Sequence, residues 1–334
     1  AYPDGSVSLI YIVLEPKNIH PIYCNYLLKC YNFIEEFYRM GHGIVADLWT
    51  TRYDEMKSII VGIPPIPEQT SIAHFLDTKT TLIDKAIAIK QKQIDLLKER
   101  RQIIIQQTVT RGLDPNVKMK DSGVEWIGEI PEGWEVKRVK HITSKIGSGV
   151  TPSGGGTIYL ESGIPLLRSQ NVLFGKIELD GVAFISEKIH ASMSNSQVSK
   201  GDVLLNITGG SIGRCHYIDF DGELNVNQHV CIIRPKKEIT TLYLNSVLSS
   251  EIGQGQIWLN QQGGGREGLN FQSIKNFFVP LPPIEDQNII CDFIQITSNK
   301  FAIAISLKEQ EIEKLKEYKA TLINSALTGK IKVS

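Results

Sequence analysis

The chain repeats itself, position 63 returning as position 281, an offset of 218 residues. Ile63-Pro64-Pro65-Ile66-Pro67-Glu68-Gln69 comes back as Leu281-Pro282-Pro283-Ile284-Glu285-Asp286-Gln287, and each copy opens a long, charged, amphipathic stretch. The register then holds without a gap: Ile83 falls with Phe301, Ile87 with Ile305, Lys90 with Lys308, Ile94 with Ile312, Leu97 with Leu315 and Ile104 with Leu322. Solenoid units recur every 20 to 50 residues or roughly so, which makes this a pair of tandem modules, each a globular part followed by a helix.

In the first stretch apolar residues fall at alternating steps of four and three, at Leu76, Ile83, Ile87, Ile94, Leu97 and Ile104, with Thr80, Lys90 and Arg101 completing the ladder. That spacing is a coiled-coil seam. A helix of about 40 residues runs roughly 60 Å and exposes so narrow a stripe unless something covers it. The matching registers make the other copy the expected partner; the alternative is that each helix packs on its own globular part. A short linker between copies requires an antiparallel pair, which sets Ile87 near Leu322. The paired prolines forbid helix ahead of each stretch and stiffen its start.

With 334 residues, 42% of them hydrophobic, the chain has the length for about two domains and an ordinary core. No apolar run comes near the roughly 20 residues of a membrane span, and residues 1–14 lack a basic start and apolar centre. A cytoplasmic protein without membrane contact is the expectation. Lysine plus arginine and aspartate plus glutamate both total 36, so net charge points to no polyanion, although a local basic face can hide in a neutral sum. The five cysteines, Cys24, Cys30, Cys215, Cys231 and Cys291, contain no CxxC pair and are expected to be buried thiols, neither disulfides nor zinc ligands.

Domain boundaries are expected at 1–66, 67–113, 114–283 and 284–334. A Gly/Asp/Pro linker at 111–116 ends the first helix. Beyond it, residues 145–156 read as an extended loop, and 164–172, 200–207, 215–218, 226–234 and 277–281 as short strands. Residues 241–252 read as a helix. The class is α+β, with a small irregular sheet. Weaker repetition reaches upstream: 7–16 resembles 226–235, and 23–28 resembles 243–248. Nothing ahead of Ala1 answers to residues 121–222. The first module is therefore expected to hold only its C-terminal part, with Ala1 a truncated or processed start. An unpaired strand edge and self-association should follow.

Module, helix, module, helix, with a Pro-Pro start to each helix, resembles the DNA specificity subunit of Type I restriction-modification systems. Asp121-Ser122-Gly123-Val124-Glu125-Trp126-Ile127-Gly128-Glu129-Ile130-Pro131-Glu132-Gly133-Trp134 looks like the opening of a target-recognition domain. Gly149-Val150-Thr151-Pro152, Ile164-Pro165-Leu166-Leu167-Arg168 and Gly201-Asp202-Val203-Leu204-Leu205 with Ile212-Gly213-Arg214 are further family-like marks. The resemblance implies tandem target-recognition domains reading a split site in double-stranded DNA, joined by two long antiparallel helices. Its implied partners are adenine methyltransferase subunits, which bring S-adenosylmethionine, and a restriction subunit that uses ATP and magnesium. No cofactor is expected in this chain.

A DNA reader needs cations for phosphates and planar hydrogen-bonding groups for base edges. Arg168, Ser169 and Asn171 supply these after a hydrophobic run, Arg168 standing open between DNA and a surface carboxylate. Lys145, Ser148 and Thr151 flank a Gly-rich stretch that admits a phosphate or is simply a surface loop. Arg214 follows Gly209-Gly210. Asn227 and Gln228 suit adenine or cap the next strand, and Arg266 sits in a Gly-rich loop ahead of the last strand. Catalytic signals are poor. No G-x-x-x-x-G-K-S/T phosphate loop occurs, Cys215-His216 reads as a packed strand pair, and the prolines lack the flanking residues of a methyltransferase motif. A non-catalytic DNA-reading subunit is the first expectation. The second is a chain that binds methyltransferase subunits through its helices without reading DNA.

Overall fold

The computed structural model describes residues 13–43, 50–152, 158–261 and 268–333. The chain divides into two compact units, residues 1–97 with 303–334, and residues 98–302. The two long helices, Ile66–Arg111 and Ile284–Leu327, contribute to both. Most of the strand expected from residue 7, and Arg266, lie outside the described residues.

In the first unit the long helices run antiparallel. Lys319 Nζ meets Asp84 at 2.6 Å and Lys90 Nζ meets Glu311 at 2.5 Å, so the numbering rises on one helix as it falls on the other. These pairs put Ile87 opposite Leu315, about two turns from the Leu322 that sequence spacing suggests. Ile94, 2% exposed, packs with Ile305 and Ile312, flanked by Ile87 and Leu97. Farther along, Ile83 and Leu322 join Tyr23, Ile72 and Leu76, with Ile87 and Leu315 at the margin. Ile104 and Phe301 are half-buried and belong to neither cluster. Lys90 and Lys308, the polar positions that the repeat equates, both reach Glu311, so one carboxylate answers two seam cations.

The short helix Pro21–Leu27 lies on this pair, with Tyr26 Oη donating to Asp77 at 2.8 Å. The second long helix also holds an 18-residue window of mean hydropathy 1.2, long and apolar enough to cross a membrane by length and composition, contrary to the sequence reading. One helix of this kind is weak grounds for a span, because packed core helices have the same composition. Ile290, Cys291 and Ile294 of this helix are core residues of the second unit.

The second unit is built on a four-stranded antiparallel sheet in the order Cys215–Tyr217, Val203–Asn206, Val230–Pro235 and Thr143–Ser148. Side chains alternate across a strand, so Val203, Leu205, Cys231 and Ile233 enter one cluster while Leu204, Val230 and Ile232 enter another. Both faces are buried, and this is why the strands read as unbroken apolar runs. Burial pushes the Cys215 and Cys231 thiols up to about 12. All five cysteines are free; Cys24 alone is only half-buried. A second four-stranded sheet orders Ala183–Ile185, Ile164–Leu167, Leu224–Val226 and Gln197–Val198, with one parallel pair.

Four sequence expectations change. Residues 164–172 form two strands, Ile164–Leu167 and Val172–Leu173, in different sheets, because Asn171 turns the chain between them. Residues 143–148 form an edge strand where a loop was expected. Residues 226–234 split into two strands in different sheets at Asn227. The helix over 241–252 breaks at Ser250, giving Thr241–Ser249 and Glu251–Leu259. Only glycine fits the corner that follows, for a Cβ on Gly253 would lie 2.4 Å from the carbonyls of Val247 and Leu248.

A buried glutamine anchors the start of each long helix. Gln69 Oε1 accepts from His20 N at 2.8 Å while its Nε2 donates to Pro64 O at 2.7 Å. Gln287, the repeat equivalent, accepts from Thr240 N at 2.8 Å and donates to Glu238 O and Pro282 O at 3.0 and 2.9 Å. His20 and Thr240 are the N-caps of Pro21–Leu27 and Thr241–Ser249, and each caps with its side chain the amide of a buried tyrosine, Tyr23 or Tyr243. Those hydroxyls reach Gly62 O and Pro280 O, again equivalent positions. Gln287→Ala strands one donor and two acceptors in the interior and should cost about 3 kcal/mol or more in urea unfolding. Gln287→Glu keeps the acceptor but loses the donor, and should rescue little. A loss below about 1 kcal/mol in the alanine variant would show that the clamp is not needed.

Candidate nucleic-acid interface

Four loops of the second unit meet at Asn227. Its backbone N–H donates to Leu167 O at 3.0 Å, its carbonyl accepts from Gly149 N at 3.2 Å, and its Oδ1 accepts from His229 N at 3.0 Å. These bonds tie residues 227–229 to the loops at 149–151 and 168–171. Ile207 N donates to His229 O and Leu269 N to Ile207 O, adding the loop at 207–214 and the segment after residue 268. Asn206 closes the cluster: its Nδ2 donates to Ser169 O at 2.8 Å and Val172 O at 3.1 Å, while its backbone N–H donates to Arg214 O at 2.9 Å. Gly149 permits the approach, since a Cβ there would lie 1.6 Å from Val226 O.

The candidate side chains divide by what they already do. Asn171 is 1% exposed; its Oδ1 accepts from Arg168 N and its Nδ2 donates to Glu178 O, which consumes it in shaping the loop. Asn227, 7% exposed, spends its Oδ1 on His229 N within its own loop. Lys145 donates to Gln197 O at 3.2 Å, and burial, with Arg234 beside it, lowers its pKa. All three side chains are engaged with neighbouring backbone, a task that buried polar groups of any loop require. Ser148 Oγ donates to Gly149 O. Ser169 offers its carbonyl to Asn206 and is half-buried.

Thr151 and Gln228 are exposed and hydrogen-bonded to each other. Gln228 Nε2 also lies 3.1 Å from His229 Nε2, and His229 Nδ1 lies 2.6 Å from Thr208 Oγ1. A polar row therefore runs from Thr151 through Gln228 and His229 to Thr208. Arg168 and Arg214 are half-buried and take part in no ion pair among the described residues. The Nε of Arg168 is buried without a partner. In the first unit Arg39 is bound to Glu36 at 2.7 Å.

Residues 131–317 match the Type I restriction modification DNA specificity domain, more than half of the chain. The chain belongs to that family. It is 29% identical over 263 residues to the Type I restriction enzyme EcoBI specificity subunit of Escherichia coli, covering 76% of this chain and 54% of that protein. Against the MjaVIII specificity subunit of Methanocaldococcus jannaschii it is 28% identical, covering 98% of this chain and 75% of the other. It thus spans about half the length of the first relative and three quarters of the second. In fold it is similar to a chain solved in work on assembly and conformational transition of the type I R-M system, with TM-score 0.70, 14% identity and 92% and 71% coverage. The HsdS subunit of Thermoanaerobacter tengcongensis gives TM-score 0.50 at 14% identity, over 93% and 70%.

All four loops of this specificity domain lie within the matched residues. Two of its organising residues, Asn206 and His229, escaped the sequence reading. Asn206 left a signal, a lone amide closing the apolar run Val203-Leu204-Leu205, whereas His229 left none. Among the described residues no group of three His, Cys, Asp or Glu side chains could hold a metal. Gly149→Ala should destabilise by about 1 to 3 kcal/mol in urea unfolding, because Val226 or the loop must move. Ser148→Ala next to it should stay within about 0.5 kcal/mol. Equal effects would mean that close approach at residue 149 is not what shapes the loop.

Proposed function

We propose that this chain is the non-catalytic DNA-reading subunit of a Type I restriction-modification enzyme, taking one half of a bipartite double-stranded site with the loops around Asn227. The observation that carries this reading is that the family match covers the domain in which four loops converge and in which two arginines there, Arg168 and Arg214, are in no ion pair among the described residues. A guanidinium matches the O6 and N7 of guanine, and the amide of Gln228 matches adenine. Backbone phosphates take arginine and hydroxyl donors such as Thr151. Adenine methyltransferase subunits carrying S-adenosylmethionine and an ATP-dependent restriction subunit would supply the chemistry.

Partner docking has its own support. On the first long helix Leu82, Ile89 and Leu96 recur every seven residues and are 56%, 59% and 52% exposed, an unfilled heptad stripe of the kind helices present to other helices. The same stripe favours the second reading, binding of methyltransferase subunits without DNA recognition.

Selection from random duplexes, with the methyltransferase subunits present, separates the two. The first reading expects an enriched sequence. Arg168→Ala should then weaken the selected site by about 1 to 3 kcal/mol and relax one position, whereas equal weakening on all duplexes would mark a phosphate contact. No enrichment, together with subunit co-purification that Ile89→Asp abolishes, would leave only the second.

A further inference from the structure

A cleft of about 510 Å³ lies within the second unit, and none of the DNA-contact candidates lines it. The first long helix contributes Arg101 to its wall, the strand Cys215–Tyr217 contributes His216, the helix Thr241–Ser249 contributes Asn245, and the exposed ring of Phe174 stands at its edge. Arg101 Nε, His216 Nδ1 and Asn245 Oδ1 are each buried and have no hydrogen-bond partner among the described residues. Half of the six such atoms in the described chain therefore belong to residues of one cleft. Native proteins leave few buried polar atoms unpaired, so a concentration of them calls for an occupant.

Apart from the hydroxyl of half-buried Ser298, the other polar side chains of the wall are already engaged. Gln102 donates to Ser249 O, Gln254 donates to Gly213 O and Leu248 O, and Ser246 donates to Leu242 O. No acidic side chain lines the cleft, and Arg101 joins no ion pair among the described residues. The free buried groups are thus a guanidinium donor, an imidazole nitrogen and an amide oxygen. Burial holds the imidazole pKa of His216 below its ordinary value, against the pull of Asp219.

We infer that this cleft is a binding site for a small oxyanion-bearing molecule, its phosphate or carboxylate held by Arg101 and His216, with Asn245 accepting from a donor on the ligand and Phe174 covering an apolar portion. The volume lies in the range of small-molecule pockets, and charge-assisted bonds to arginine are the stronger class of hydrogen bond. The site is independent of the DNA-reading proposal and shares none of its residues.

The test uses the full chain with histidine rings labelled with ¹⁵N, the His216 signal being assigned by its loss in His216→Gln. Inorganic phosphate, AMP and acetate are titrated separately at constant ionic strength set with chloride. A saturable shift of the His216 signal is expected with at least one probe. The responding probe names the anion, and AMP binding tighter than phosphate by a margin that Phe174→Ala removes identifies an organic phosphate. Arg101→Gln should weaken binding by about tenfold or more, Arg101→Lys by less, and the exposed neighbour Arg100→Gln not at all. Should Arg101→Gln fail to fold, Asn245→Leu and Arg101→Lys are compared by the same shift. No saturation with any probe, or unchanged binding when Arg101 and Asn245 are replaced, overturns the assignment and leaves solvent as the occupant.

Discussion

The structure depends on a conflict created by proline and resolved by glutamine. Two prolines before each long helix hold the chain extended and leave carbonyls, Pro64 O and Pro282 O, buried where no helix can satisfy them. A neighbouring short helix brings an N-cap whose own amide is equally without a helical partner, at His20 or Thr240. One primary amide answers both, since it donates and accepts at once. Gln69 and Gln287, 1% and 0% exposed, do this at equivalent positions. A glutamate could not donate and a leucine could do neither. The repeated Pro-Pro-x-x-x-Gln is therefore a joint between helix and globular part, and its chemistry limits what can stand at the last position.

That joint was half legible. The prolines mark the helix starts by their backbone chemistry, the apolar spacing gives the helices, and the short linker between copies gives their antiparallel sense. Register was not legible, because apolar positions every three or four residues are satisfied by several offsets. The choice falls to Asp84 with Lys319 and Glu311 with Lys90, half-buried lysines at the seam whose partners apolar spacing does not name. Inside the second unit, apolar runs locate most strands. They cannot separate Leu224–Val226 from Val230–Pro235, which only the turn at Asn227 sends into different sheets.

The interface shows the same division more sharply. Amides and hydroxyls near glycines are what a base reader needs, and they are also what a tightly packed loop needs for its own carbonyls. Asn171 and Asn227 took the second task, while Gln228, one residue on, is left exposed. The partners of these side chains are local, Arg168 N and Glu178 O for Asn171 and His229 N for Asn227, but which amide takes them depends on how each loop turns, and composition alone does not give that. Arginine is easier to read, since its fork is rarely spent on loop carbonyls and an unpaired one stands out once the acids have been assigned.

Assigning the acids explains how a chain with equal numbers of acidic and basic residues can still face a polyanion. On the helices of the first unit, Asp84, Glu311 and Glu313 each hold a lysine, so much of the charge there is neutralised within a few ångströms. In the second unit the buried carboxylate of Asp202 is committed to the half-buried Arg234 at 2.7 Å. Arg101, Arg168 and Arg214 are left without carboxylates among the described residues. A close ion pair has almost no net charge and contributes little to the field around it, whereas an unpaired guanidinium near a concave surface acts on a ligand within the Debye length of about 8 Å. Each unit is itself neutral in formal charge, so a cationic surface arises only where the acids lie elsewhere in the same unit, and it is this local arrangement that bears on which ligand each surface takes.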